Sequence, residues 1–103
     1  MKYSIGYITV PTKPEAKNLV LALLEEGLIA CGNILPAGES FFVWDNQIEE
    51  TSEHVVLIKT KPSHHGRIIR LVKELHSYEC PCVVFVPIED GSNEFLDWID
   101  KCC

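Results

Sequence analysis

Residues 3–10, YSIGYITV, are rich in β-branched and aromatic side chains and stop at Pro11, which predicts a strand. Thr12 and Glu15 then stand in a T-x-x-E pattern with Pro14 in the first turn. That is the arrangement of a capping box, with Thr12 capping a helix and Glu15 reaching back. Ala16, Leu19, Val20, Leu23 and Leu24 follow at helical spacing, and Gly27 supplies the stop. Residues 30–37 return to an extended pattern, broken at Pro36 and Gly38. FFVW at 41–44 reads as strand, Asp45-Asn46-Gln47 as a polar turn, and residues 48–60 as a second long extended run. Together they predict a hairpin with arms of about 12–14 residues, or roughly 40 Å at about 3.3 Å per residue. An arm more than twice the usual strand length overhangs its own domain and leaves backbone donors and acceptors open. A second subunit would satisfy them, so the hairpin predicts an oligomer.

Pro62-Ser63 opens the next helix, whose apolar stripe is Ile68, Leu71, Val72 and Leu75 and whose wet side carries Arg67, Arg70 and Lys73. His76-Ser77-Tyr78-Glu79 leads out of it. The nearly continuous apolar run of residues 82–88 predicts a strand covered on both sides. After a turn at Asp90-Gly91-Ser92, Phe95, Trp98, Ile99 and Cys102 mark a short last helix. The order is βαββαβ plus a terminal helix. It predicts an α+β, ferredoxin-like fold, with a four-stranded antiparallel sheet and two helices on one face.

Composition narrows the possibilities. The 103 residues allow one domain, taken as residues 1–103, and 47% hydrophobic with 23% charged residues is ordinary globular composition. A net charge of −6 argues against nucleic acid as a partner. No segment approaches the roughly 18 apolar residues of a membrane span, so no membrane partner is expected. Five cysteines, an odd number, and an N-terminus without signal-peptide character point to reduced thiols and a cytoplasmic protein.

A ferredoxin-like fold hosts many functions, so the chemistry has to come from residues. The loop after the first strand, VPTKPE, lacks the C-x-x-C of a soft-metal chaperone. The four spaced cysteines of an iron–sulfur protein and a phosphate-binding loop are also missing. Phe41 and Phe42 sit in an acidic segment, unlike the basic strands of an RNA-recognition module. What remains is Cys31, the pair Cys80-Pro81-Cys82, the tail pair Cys102-Cys103 and four histidines. Thiolates with imidazoles prefer copper or zinc to magnesium or calcium. Cys80 and Cys82, two apart in an extended chain, face one side and form a possible metal pair with His76 nearby. His64 and His65 read as a surface cap region. His76, Tyr78 and Glu79 cluster in a short loop that suits proton transfer or metal ligation. A Cys31–His76 nucleophile lacks an orienting group, and no enzyme is expected. Glu53 and Lys59 share one strand face, and Lys59 suits either an anion pocket or an ion pair.

These segments in register resemble the CutA divalent-cation tolerance family: LIACGNILP, SFFVWDNQIEETSE, VVLIKTKPS, HSYECP and FVPIEDGSNEFLDWI. The resemblance covers about residues 5–100. It implies a ferredoxin-like protomer in a PII-like homotrimer, and a link to tolerance of copper and other divalent cations without an established catalytic activity. By position it implies roles for Cys31 and Asn33, the hairpin Trp44, Glu53, Lys59, the loop of His76, Tyr78 and Glu79, and Trp98. The candidate metal ligands are therefore Cys31, His76 and Cys82, and the candidate ligand cleft holds Trp44, Glu53, Lys59, Tyr78 and Glu79. Two positions depart from the family pattern. Ser77 replaces a usual proline, which predicts a looser loop. Cys82 replaces a usual glutamate, exchanging a hard donor for a soft one and predicting a shift toward Cu(I) or Zn(II). The alternative function is a PII-like sensor that holds an anionic metabolite at Lys59 in an intersubunit cleft.

Overall fold

The computed structural model describes residues 2–103. The first strand, β1 (Ser4–Val10), leads into helix α1 (Lys13–Glu25). Three strands follow: β2 (Cys31–Ile34), β3 (Gly38–Trp44) and β4 (Gln47–Thr60). A 3₁₀ turn (Pro62–His64) opens α2 (His65–Leu75), and the chain ends in β5 (Val83–Pro87) and α3 (Asn93–Cys102). All strand pairs are antiparallel, in the order β2-β4-β1-β5, with β3 alongside the far half of β4. This is the ferredoxin-like arrangement expected, with one refinement. The first hairpin arm divides into β2 and β3 around Leu35-Pro36-Ala37, because Pro36 has no N–H for the ladder. The sheet therefore has five strands instead of four.

Local chemistry explains the ends of α1. The Thr12 hydroxyl accepts the Glu15 N–H at 3.3 Å, half of the predicted capping box. The other half does not form, since the Glu15 carboxylate is engaged elsewhere. At the far end Gly27 takes φ 68°, Gly27 N–H donates to Leu24 O, and Leu28 N–H donates to Leu23 O. Those two bonds are the Schellman stop, which needs a left-handed residue where glycine is cheapest.

The main core lies between one face of the sheet and both α1 and α2. Ile8, Val10, Val56 and Ile58 meet Leu19 and Leu23 of α1 and Ile68 and Val72 of α2. A smaller cluster of Tyr3, Ala30 and Ile99 seats α3. There the Tyr3 hydroxyl donates to Asp100, which also pairs with Lys61 at 3.6 Å. Neither α1 nor α2 covers the opposite face of the sheet beyond the end where Tyr3 meets α3. Tyr7, Val84 and Val86 are 39%, 54% and 53% exposed on it. The expectation that β5 is covered on both sides is thus corrected within one chain: both helices sit on the same face. No helix among the described residues is long and apolar enough to cross a membrane.

The hairpin projects. Asp45 and Asn46 have φ of 51° and 62°, so the turn is a two-residue type I′ turn closed by the Trp44–Gln47 pair. The molecule measures 44 × 26 × 24 Å with a radius of gyration of 14.2 Å. A compact chain of this length would have about 13 Å.

Candidate functional site

The pairing Phe42–Glu49 and Gly38–Glu53 sets which side chains share a hairpin face. Ser40, Phe42, Trp44, Glu49 and Glu53 fall on the same one, since side chains alternate along a strand. That face and the loop after α2 enclose a cleft of about 530 Å³. Five of the eight candidate residues line it together: Trp44, Glu53, Tyr78, Glu79 and Cys82. Phe41, Phe42, Glu49 and Cys80 line it too, although none was among the eight. No lysine, arginine or histidine is among its lining residues.

The loop is held from behind. The His76 side chain is fully buried, and its Nε2 lies 2.7 Å from the Thr9 carbonyl. A carbonyl only accepts, so Nε2 carries the hydrogen. Nδ1 accepts the Tyr78 N–H at 3.0 Å, and the His76 and Tyr78 rings sit 4.7 Å apart at 46°. Both nitrogens of the neutral ring are thereby committed. His76 positions the loop instead of offering a lone pair to a metal, which corrects its candidacy as a ligand.

Glu15 completes the clasp. Its Oε2 accepts from Ser77 N–H at 2.9 Å and from the Ser77 hydroxyl at 3.0 Å, and lies 3.5 Å from His76 Nδ1. The looser loop predicted from Ser77 is therefore not what the structure shows. Two hydrogen bonds replace the stiffness of a proline ring, and one uses an N–H that proline lacks. Replacing Glu15 by alanine is expected to cost about 1–2 kcal/mol through these charge-assisted bonds. The Ser77 amide should then exchange with deuterium at least about tenfold faster, with core amides unchanged, and equal Ser77 exchange would contradict the clasp.

Two cleft groups are held in their protonated forms. Burial, then the hydrogen bond to Glu53 and the charges of Glu53 and Glu15, push the Tyr78 phenol up to about 12. Burial first, then Glu53 and Cys80, push the Cys82 thiol above its ordinary range. Glu53 itself is 7% exposed and has no cationic partner among the described residues.

The remaining candidates lie elsewhere. Lys59 shares the β4 face with Glu53 but stands roughly 20 Å along the strand from it. Its ammonium donates to the Asn33 side-chain oxygen, so neither the predicted carboxylate pair nor an anion pocket forms around it. Cys31 is half-buried opposite Lys59 on β2. Cys31, His76 and Cys82 are not brought together. Among the described residues no three His, Cys, Asp or Glu side chains converge to hold a metal. An anionic metabolite in the cleft would meet three carboxylates and no cation.

Comparison with known proteins gives a consistent picture. The profile described as "CutA1 divalent ion tolerance protein" matches residues 4–102. The divalent-cation tolerance protein CutA of Archaeoglobus fulgidus is 44% identical over 95 residues, 92% of each chain. The solved structure of the Thermus thermophilus divalent cation tolerance protein superposes with a TM-score of 0.95 at 36% identity, covering 97% of each chain. CutA1 from Oryza sativa also gives 0.95, at 32% identity over 99% of this chain and 94% of that one.

Proposed function

The chain belongs to the CutA1 divalent ion tolerance family, and on that premise we propose that it serves divalent-cation tolerance as a homotrimer. In this reading it binds copper or another divalent ion in the hairpin cleft. The observation that carries the reading is the cleft's lining: Glu49, Glu53 and Glu79 with two cysteines, and no basic side chain among the described residues. Such a lining concentrates cations and repels anions. Cys82 and Glu53 are the proposed ligands within one chain, and a neighbouring subunit would complete the set.

The trimer is supported by the uncovered face of the sheet and by the projecting hairpin, as in the PII-like architecture that the resemblance implies. The protein is read as a binder and not an enzyme, because the Cys82 thiol and the Tyr78 phenol of the cleft are both held protonated, the wrong state for a nucleophile or base. Five cysteines, all free, support a reducing compartment, the cytoplasm.

Thermal unfolding with Cu(II), Zn(II) and Mg(II) tests the metal reading. A transition metal at a hundredfold excess over its Kd should add about 2.7 kcal/mol of stability, read as a rise in Tm. Glu53→Gln and Cys82→Ser should each remove most of that rise. A rise that survives both substitutions would move the site out of the cleft.

A further inference from the structure

We propose that the cleft between the hairpin and the loop after α2 binds an organic cation with a quaternary ammonium group, with Phe42, Trp44 and Tyr78 around its apolar shell and Glu53 beside its charge. The proposal goes beyond the metal reading, because it rests on an aromatic lining that a metal ion does not use.

The cleft has room for more than an ion. Its volume of about 530 Å³ lies within the roughly 300–1,000 Å³ of sites for organic ligands. Phe42, Trp44 and Tyr78 all line it. Phe42 and Trp44 are two apart on β3, which places them on one face roughly 7 Å from each other. Both are exposed, and neither belongs to a core cluster. Their rings therefore serve the cleft and not the packing of their own chain. Ring faces carry negative potential and attract a cation within about 6 Å of the centroid.

Charge then selects among ligands. Glu53 lines the cleft, is 7% exposed and has no cationic partner among the described residues. A carboxylate withdrawn from water is costly unless hydrogen bonds and a positive charge offset it. The Tyr78 hydroxyl supplies a hydrogen bond, but no side chain of the lining supplies the charge. Glu49 stands directly opposite Phe42 in the ladder, and Glu79 adds a third carboxylate. This lining repels an anion, and a neutral apolar molecule would leave the Glu53 charge uncompensated. A primary ammonium brings three N–H donors that each need an acceptor. A quaternary ammonium needs only negative potential and ring faces, which is what this cleft presents. Glu53 is also a proposed metal ligand, so the two cations would exclude one another.

Isothermal titration calorimetry of the full chain tests the proposal, with benzyltrimethylammonium chloride as the probe and benzyl alcohol as its neutral counterpart, both in metal-free buffer. The cation is expected to bind at one site per chain, and benzyl alcohol at least about tenfold more weakly. Glu53→Gln should weaken the cation at least about tenfold. Trp44→Leu and Phe42→Leu keep an apolar side chain but lose the ring, and each should weaken it at least about fivefold. Both positions are exposed and outside the core clusters, so both variants should melt with the parent. A rise in Tm with Cu(II) or Zn(II) should survive Trp44→Leu, which separates this proposal from the metal reading. Cation binding without any metal-induced rise sustains the proposal and ends the metal reading. Benzyl alcohol binding as tightly as the cation overturns the proposal. So does retention within about twofold of the parent in both leucine variants, or a parent that does not bind the cation at all.

Discussion

Gly6→Val is expected to destabilise the protein by about 3 kcal/mol or more, the upper range for overpacking a core. Gly6 lies in β1, between its partners Ile58 on β4 and Phe85 on β5. A Cβ there would stand 2.5 Å from Ile58 Cγ1, 2.8 Å from Ile58 Cδ1 and 3.0 Å from Phe85 Cε1. Neither neighbour has room to yield. Ile58 is fully buried in the main core. Phe85 is stacked on His65 at 3.7 Å and 10°, and His65 is tied to Ser4 by a 2.6 Å hydrogen bond. The absent side chain of Gly6 is the space in which a helix residue and two strands meet. Thermal unfolding should show a fall in Tm of at least about 10 °C. Gly66→Ala in α2 is the contrast, since nothing lies within 4 Å of the Cβ it would add. It should be neutral or gain about 0.5–1 kcal/mol from helix propensity. A Gly6→Val protein that melts with wild type would mean that β1 is not seated as described.

The same contrast between local and distant partners decides what the residues alone reveal. Thr12 and Gly27 could be read as the ends of α1 because capping and the left-handed stop are settled within a few residues. Glu15 could not, because the donor that wins its carboxylate is Ser77, far along the chain. His76 is the right residue type for a ligand, yet the Thr9 carbonyl on β1 takes its nitrogen. The cleft residues Trp44, Glu53, Tyr78, Glu79 and Cys82 were identified by resemblance, and the fold does gather them. Phe42 and Glu49 were missed for a definite reason. Reading Asp45-Asn46-Gln47 as a three-residue turn shifts the hairpin register by one, which puts Glu49 and Glu53 on the face opposite Phe42 and Trp44. The observed two-residue turn restores them to one face. The signal was the Asp-Asn pair, residues that tolerate the positive φ of a type I′ turn.

Val43→Glu combined with Ile48→Glu is expected to break the proposed trimer while leaving the protomer folded. The two residues face each other across the hairpin, and Phe41 shares their side. The three are 63% (Phe41), 71% (Val43) and 80% (Ile48) exposed in the single chain, and none belongs to either core cluster. Their own chain gains almost nothing from them. A neighbour that covered them would gain about 1.5–3 kcal/mol for each aliphatic side chain fully buried. Removing two such anchors and placing two carboxylates in the same contact should weaken association at least about a thousandfold, since each 1.4 kcal/mol is about tenfold. Sedimentation equilibrium should then report the protomer mass for the variant and three times that mass for wild type. Circular dichroism should be unchanged, because Asp45 and Asn46 still close the turn and the core is untouched. If wild type sediments as a single chain, the arm length and the bare face of the sheet need another explanation. If the variant remains a trimer, the contact lies on Tyr7, Val84 and Val86 alone, and the hairpin is free to serve the cleft of its own chain.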